Sequence, residues 1–219
     1  MKQKKAVLNT ILAQGMLPLF YCEDVEVCIE VARTLYKAGV RILEFTNRGK
    51  HALDNFKVLK KLQKKELTDL IIGIGTIKNI SEAEAFIDAG ADFIVAPIVS
   101  GEVAKVAHKH KLLWIPGCMT PTEVYAAQKH GADLVKLFPG NILGPAFINS
   151  IKELFPGIMF MPSGGVEIDA DNINNWFHAG ASCVALGGKL ISREVLEERQ
   201  YDKLFKNAEK AMELVKTAM

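Results

Sequence analysis

Apolar residues gather in short, unalternating runs at 17–22, 40–46, 70–76, 93–99, 112–118, 134–139, 158–163 and 183–188. Each run is rich in β-branched or aromatic residues. Runs of this kind belong to strands covered on both faces, as in a parallel sheet. Between them lie stretches with apolar residues at helical spacing: 25–38, 53–65, 80–89, 102–110, 122–130, 146–154, 170–178, and 194 to near the end. Eight strands alternating with helices predict parallel βαβ units. In a chain of 219 residues that count predicts an α/β fold, a (β/α)8 TIM barrel, as one domain over 1–219. The opening segment MKQKKAVLNTILAQG predicts a short amphipathic helix closing one end. An open doubly wound sheet is the alternative; no G-x-G-x-x-G follows the first strand to favour it.

An internal echo supports the barrel. Ala38-Gly39-Val40, Ala89-Gly90-Ala91, His130-Gly131-Ala132 and Ala179-Gly180-Ala181 each sit between a helix and the second, fourth, sixth or eighth strand. Glycine there suits the left-handed residue that ends a helix. A repeat at every second unit fits βαβα quarters, and independent choice of good caps fits equally well.

Composition narrows the function. The net charge of +2 provides no basic field for nucleic acid. Cys22, Cys28, Cys118 and Cys183 form no C-x-x-C pair, which points to reduced, cytoplasmic thiols rather than zinc or a disulfide scaffold. The N-terminal segment lacks a long apolar run, so neither a signal peptide nor a membrane span is expected. His51, His130 and His178 show no metal-ligand spacing, and His108 and His110 fall in a lysine-rich, solvated stretch.

The chemistry is expected at the C-terminal ends of the strands. Lys136 stands inside the run Leu134-Val135-Lys136-Leu137-Phe138-Pro139, and lysine is rarely buried without a purpose or a partner. A desolvated amine is a better nucleophile, which Schiff-base formation on a ketone needs. Glu44 is the other ionisable residue inside an apolar run. The second and sixth strands lie across an eight-stranded barrel, so a carboxylate there is placed to move protons for the lysine. A purely structural buried ion pair is the competing account. Ser163-Gly164-Gly165 ends the seventh strand and Gly187-Gly188-Lys189 the eighth. Barrels often bind phosphate at these two loops, where glycine lets backbone N–H groups approach an anion. Arg48 and Thr76 end the second and third strands. A guanidinium fork beside a hydroxyl suits a substrate carboxylate. Pro97 and Phe138 are placed as pocket walls.

These residues fall in ordered motifs: Gly39-Val40-Arg41-Ile42-Leu43-Glu44, Gly73-Ile74-Gly75-Thr76, Ile115-Pro116-Gly117, Val135-Lys136-Leu137-Phe138-Pro139, Pro162-Ser163-Gly164-Gly165 and Leu186-Gly187-Gly188. Together they resemble the 2-keto-3-deoxy-6-phosphogluconate (KDPG) and 4-hydroxy-2-oxoglutarate (KHG) aldolases, class I aldolases on a (β/α)8 barrel. The resemblance runs from Leu17 to about Tyr201. It implies that Lys136 is the Schiff-base lysine and Glu44 the acid/base, and that Arg48 and Thr76 hold the pyruvoyl carboxylate. It also implies a phosphate site at the glycine pairs, a small-molecule substrate, no cofactor or metal, and a homotrimer. The expected reaction cleaves KDPG to pyruvate and glyceraldehyde 3-phosphate, with KHG cleaved to pyruvate and glyoxylate as a second substrate.

The chain departs from the family pattern in places. Lys189 stands where serine is usual, Ser163 replaces a threonine, Pro97-Ile98-Val99-Ser100 replaces a Pro-Gly rim, and Phe45 takes a smaller residue's place. These changes bear on the substrate more than on the reaction. A C4-epimeric or unphosphorylated acid therefore stays open. A phosphosugar isomerase or epimerase, or a non-catalytic phosphometabolite-binding barrel, stays open as another class.

Overall fold

A computed structural model describes residues 2–219; Met1, the first residue of the predicted N-terminal helix, lies outside them. The strands are β1 (Met16–Phe20), β2 (Ile42–Thr46), β3 (Ile71–Gly75), β4 (Phe93–Val95), β5 (Leu113–Ile115), β6 (Gly117–Cys118), β7 (Leu134–Leu137), β8 (Met159–Pro162) and β9 (Val184–Leu186). The run predicted at 112–118 is divided into β5 and β6 by Pro116, which has no N–H to give a ladder.

All pairings are parallel. β5-β4-β3-β2-β1-β9 form one curled sheet and β6-β7-β8 a second. A bridge between Ser163 and Ala185 joins the second sheet to β9. The fold is thus a single α/β unit around a curled parallel sheet.

The helices are α1 (Lys2–Gln14), α2 (Val25–Lys37), α3 (Ala52–Lys65), α4 (Ile80–Asp88), α5 (Gly101–Lys109), α6 (Pro121–Lys129), α7 (Gly140–Ile151), α8 (Ala170–Ala179), α9 (Arg193–Glu197) and α10 (Tyr201–Ala218). Asp24, Asn79, Ser100, Thr120, Asp169 and Ser192 each cap the following helix by accepting a backbone N–H. Gly39, Gly90, Gly131 and Gly180 all adopt positive φ, as the echo predicted. Two predicted helices have different limits. α7 starts at Gly140 and kinks at Gly144 (φ 68°), and the last predicted helix breaks between α9 and α10, beside Arg199 (φ 54°).

Alternation along the strands creates two apolar clusters. Leu43, Phe45, Ile72, Ile74, Val135, Leu137 and Phe160 pack outward with the helices. Leu17, Leu19, Ile42, Phe93, Val95, Leu113, Ile115, Leu134, Met161, Cys183 and Ala185 pack together inside the curl. α1 adds Val7, Leu8 and Ile11 to the inner cluster. Its Gln14 spans β1 and β2: the amide donates to the Met16 and Ile42 carbonyls, and the amide oxygen accepts from the Arg41 N–H. Thus α1 covers the N-terminal ends of the strands and leaves the opposite ends for a site. Among the described residues, no helix is long and apolar enough to cross a membrane.

Candidate active site

Side chains two residues apart on a strand share a face. Glu44 therefore follows Ile42 inward, Lys136 follows Leu134, and Ser163 follows Met161 just beyond β8. The three form a polar layer above the inner apolar cluster, and each is buried, with Glu44 0%, Lys136 5% and Ser163 5% exposed. In register, Lys136 is flanked by Gly117 on one side and Met161 on the other. Its ammonium lies 5.1 Å from the centroid of the Phe138 ring. Phe138 itself is partly exposed.

Glu44 occupies space that β3 leaves open. β3 places Gly73 and Gly75 on the inner face, beside Glu44 and Thr46 of β2. The Phe93 ring fills the space over Gly73, and the Glu44 carboxylate fills that over Gly75. A Cβ on Gly75 would overlap that carboxylate and come within 2.9 Å of Cγ. Neither carboxylate oxygen accepts a hydrogen bond among the described residues. Burial raises the Glu44 carboxyl above its ordinary range, and the charges of Lys136 and Arg48 draw it partly back. A buried carboxyl facing a lysine, and raised by its surroundings, is suited to move protons.

Gly75→Ala is therefore expected to displace the Glu44 carboxylate. Gly75 has no positive φ, so the penalty falls on the carboxylate rather than the backbone. We expect kcat to fall by about a hundredfold with the fold retained, read by steady-state kinetics beside circular dichroism. An unchanged kcat would mean that the carboxylate position is immaterial.

A cavity of about 190 Å³ opens next to this layer. Arg48, Phe138, Ser163, Gly164, Gly165, Gly187, Gly188 and Lys189 line it, with Leu19, Val166 and Ala185 as apolar wall. Eight residues marked in the sequence thus meet around one space. Gly164 (φ 90°) and Gly165 (φ 74°) adopt a backbone course that a side chain resists. Thr76 and Pro97 are not among the lining residues. The Pro97 carbonyl instead occupies the space beside Gly117, and Pro97 acts there as a spacer between strand ends. Thr76 takes a positive φ of 64° as the chain leaves β3.

The sequence reading missed Glu167. Its carboxylate lies 2.8 Å from the Lys189 ammonium, so the lysine at the cavity already has an anionic partner. It also gave Gly73 and Gly75 no role in making room, although glycine inside a strand is a signal of close approach.

Comparison with known proteins shows the family and the fold. A family model described as KDPG and KHG aldolase matches residues 7–207. The KHG/KDPG aldolase of Escherichia coli strain K12 is 30% identical over 216 residues, covering 97% of this chain and 98% of that one. A crystal structure of a 4-hydroxy-2-oxoglutarate/2-dehydro-3-deoxyphosphogluconate aldolase from TTHB1 superposes with a TM-score of 0.81 at 29% identity, covering 95% of this chain and 98% of that one. The Legionella pneumophila KDPG aldolase, with pyruvate captured as a covalent carbinolamine, gives a TM-score of 0.83, covering 91% of this chain and 95% of that one. At 22% identity that last likeness speaks for the fold alone.

Proposed function

Because the chain belongs to the KDPG and KHG aldolase family, we propose that it is a class I aldolase acting through an imine on Lys136. The observation that carries this reading is the pairing of two buried ionisable groups, Lys136 and Glu44, on the inner face of separate strands. The chain is a carbon–carbon lyase. Its substrate is a small 2-keto-4-hydroxy acid, with KDPG as the principal one and KHG as a second.

The steps follow from the chemistry of the two groups. The Lys136 amine adds to the C2 ketone, and the carbinolamine loses water to give an iminium. Glu44 takes the C4 hydroxyl proton. The C3–C4 bond then breaks, its electron pair flows into the iminium, and the aldehyde leaves. Glu44 returns a proton to C3 of the enamine, and water releases pyruvate from Lys136. Burial of the pair supports this, because burial raises the Glu44 carboxyl and so makes it a readier proton carrier than an exposed carboxylate.

Arg48 and Thr76 are proposed to hold the pyruvoyl carboxylate. Ser163, the two glycine pairs and Lys189 are proposed to hold the distal phosphate, with Phe138 and Pro97 shaping the approach. The shared cavity supports the phosphate assignment. Arg48 lines the same cavity, which supports a distal role for it as well.

We also propose that the two ladders close as a (β/α)8 barrel, a reading supported by the Ser163–Ala185 bridge and by the Lys136 N–H donating to the Pro116 carbonyl at 2.8 Å. A homotrimer follows from the family resemblance, and the four free cysteines support a cytoplasmic location. Ile98 and Met119, exposed apolar residues shortly after β4 and β6, and Ile142, exposed in the first turn of α7, support the trimer.

Pyruvate release, coupled to lactate dehydrogenase, tests the reaction with KDPG, its C4 epimer, the unphosphorylated acid and KHG. Pyruvate from KDPG at the highest kcat/KM is the expected result. Absence of pyruvate from all four would remove the aldolase reading. The Glu167–Lys189 pair favours a second reading, in which a neutralised rim prefers the unphosphorylated acid. The same four rates decide between them.

A further inference from the structure

Arg48 reaches the cavity from the loop that follows β2, and that loop is held at both ends. The Asn47 N–H donates to the Gly75 carbonyl at 2.9 Å, and the Ala52 N–H donates to the Gly49 carbonyl at 3.1 Å. Between these ties the loop rests on Tyr21, just past the end of β1. The Tyr21 ring packs against Phe45 with centroids 5.7 Å apart, and Phe45 is fully buried. The hydroxyl oxygen is shut off from solvent, although Tyr21 as a whole is only half-buried.

What that oxygen meets is the backbone of Gly49, the residue after Arg48. A Cβ on Gly49 would overlap the Tyr21 hydroxyl and stand 2.8 Å from Cε1; its three nearest atoms all belong to Tyr21. Gly49 has no positive φ, so alanine there meets no backbone strain. The closest obstacle to a side chain at position 49 is the Tyr21 phenol. The loop can settle onto the phenol only because nothing projects from position 49.

We infer that Tyr21 and Gly49 form a stop that positions Arg48 over the distal cavity, and that this contact sets the preference for substrates with a distal phosphate. The Tyr21 ring leans on fully buried Phe45, and its hydroxyl sets the height at which the loop rests. Arg48 shares a cavity of about 190 Å³ with Lys189 and the glycine pairs. In so small a space, a shift of the loop changes how well a guanidinium meets a phosphate. Neither Tyr21 nor Gly49 lines the cavity, so both are positioning residues. The inference rests on the aldolase reading, since it concerns selection among that reaction's substrates.

The test compares KDPG with its unphosphorylated counterpart, 2-keto-3-deoxygluconate, on the full chain. Gly49→Ala is expected to raise KM for KDPG by about tenfold, to leave its kcat within about twofold, and to raise KM for the unphosphorylated acid by no more than about threefold, the share that the carboxylate contact common to both substrates accounts for. Tyr21→Phe deletes only the oxygen and is expected to raise KM for KDPG by about threefold, with the same selectivity. The Tyr21→Val/Gly49→Ala double variant removes the three atoms nearest the new Cβ and is expected to recover most of the KDPG affinity lost in Gly49→Ala. Equal losses on both substrates, or no change in their ratio, would overturn the inference. Should Gly49→Ala fail to fold, Tyr21→Phe alone decides. Borohydride trapping with pyruvate is run on the wild type and each variant. A Lys136 adduct throughout, with an unmoved substrate ratio, sinks this inference alone. No adduct in the wild type removes the aldolase reading and this inference with it.

Discussion

Lys136→Ala is expected to lose aldol cleavage by about 10⁴-fold or more while the chain stays folded. Removing the amine removes the covalent intermediate, and neither Glu44 nor the cavity offers a substitute nucleophile. Folding is expected to survive because the change deletes a buried cation from a layer whose neighbours are Gly117, Met161 and the Phe138 ring. In the same variant Glu44 loses the larger of the two charges that draw its carboxyl down, so that carboxyl rises further. Kinetics with KDPG and a urea melt provide the check. Turnover within tenfold of the wild type would remove the imine from the mechanism.

Glu44→Gln is expected to lower kcat by about 10²- to 10⁴-fold, the usual size of a lost general acid/base. It is also expected to make the fold no less stable near neutral pH, because the wild type buries a carboxylate that has no hydrogen bond among the described residues. The pH dependence has a definite sign. In the unfolded chain this carboxyl ionises near its ordinary value of 4.5, and in the fold, where burial dominates, it ionises higher. Between the two values the folded state holds a proton that the unfolded state has released. Wild-type stability from this group is therefore full below the ordinary value and is lost as pH rises through the folded value. Glutamine does not titrate, so the wild-type minus variant difference should fall across that window and be flat on either side. Urea melts at a series of pH values read it directly. A difference that rises with pH would mean that Glu44 is stabilised as an anion, and its assignment as a proton carrier would fail.

These two residues were legible in the sequence because each breaks an apolar run. Desolvating a charge is costly enough that such a break is seldom neutral. The strands were legible for the related reason that a parallel sheet covered on both faces must be apolar in unbroken runs. The limits of the elements were harder to read. Pro116 divides one run, and Gly144 and Arg199 interrupt two helical patterns, through backbone angles that apolar spacing does not encode. The rest of the site depends on contacts between distant segments. Glu167 and Lys189 meet only because β8 and β9 adjoin, and Tyr21 meets Gly49 only because β1 and β2 do. Thr76 and Pro97 were placed by their positions at strand ends, and position alone does not decide which side chains reach the cavity.

The most direct test of the account is to incubate the protein with pyruvate, add borohydride, and measure intact and peptide masses. The account predicts one reduced pyruvate adduct per chain, mapped to Lys136 and absent from Lys136→Ala. Folded protein with no adduct, or an adduct on another lysine, would contradict it.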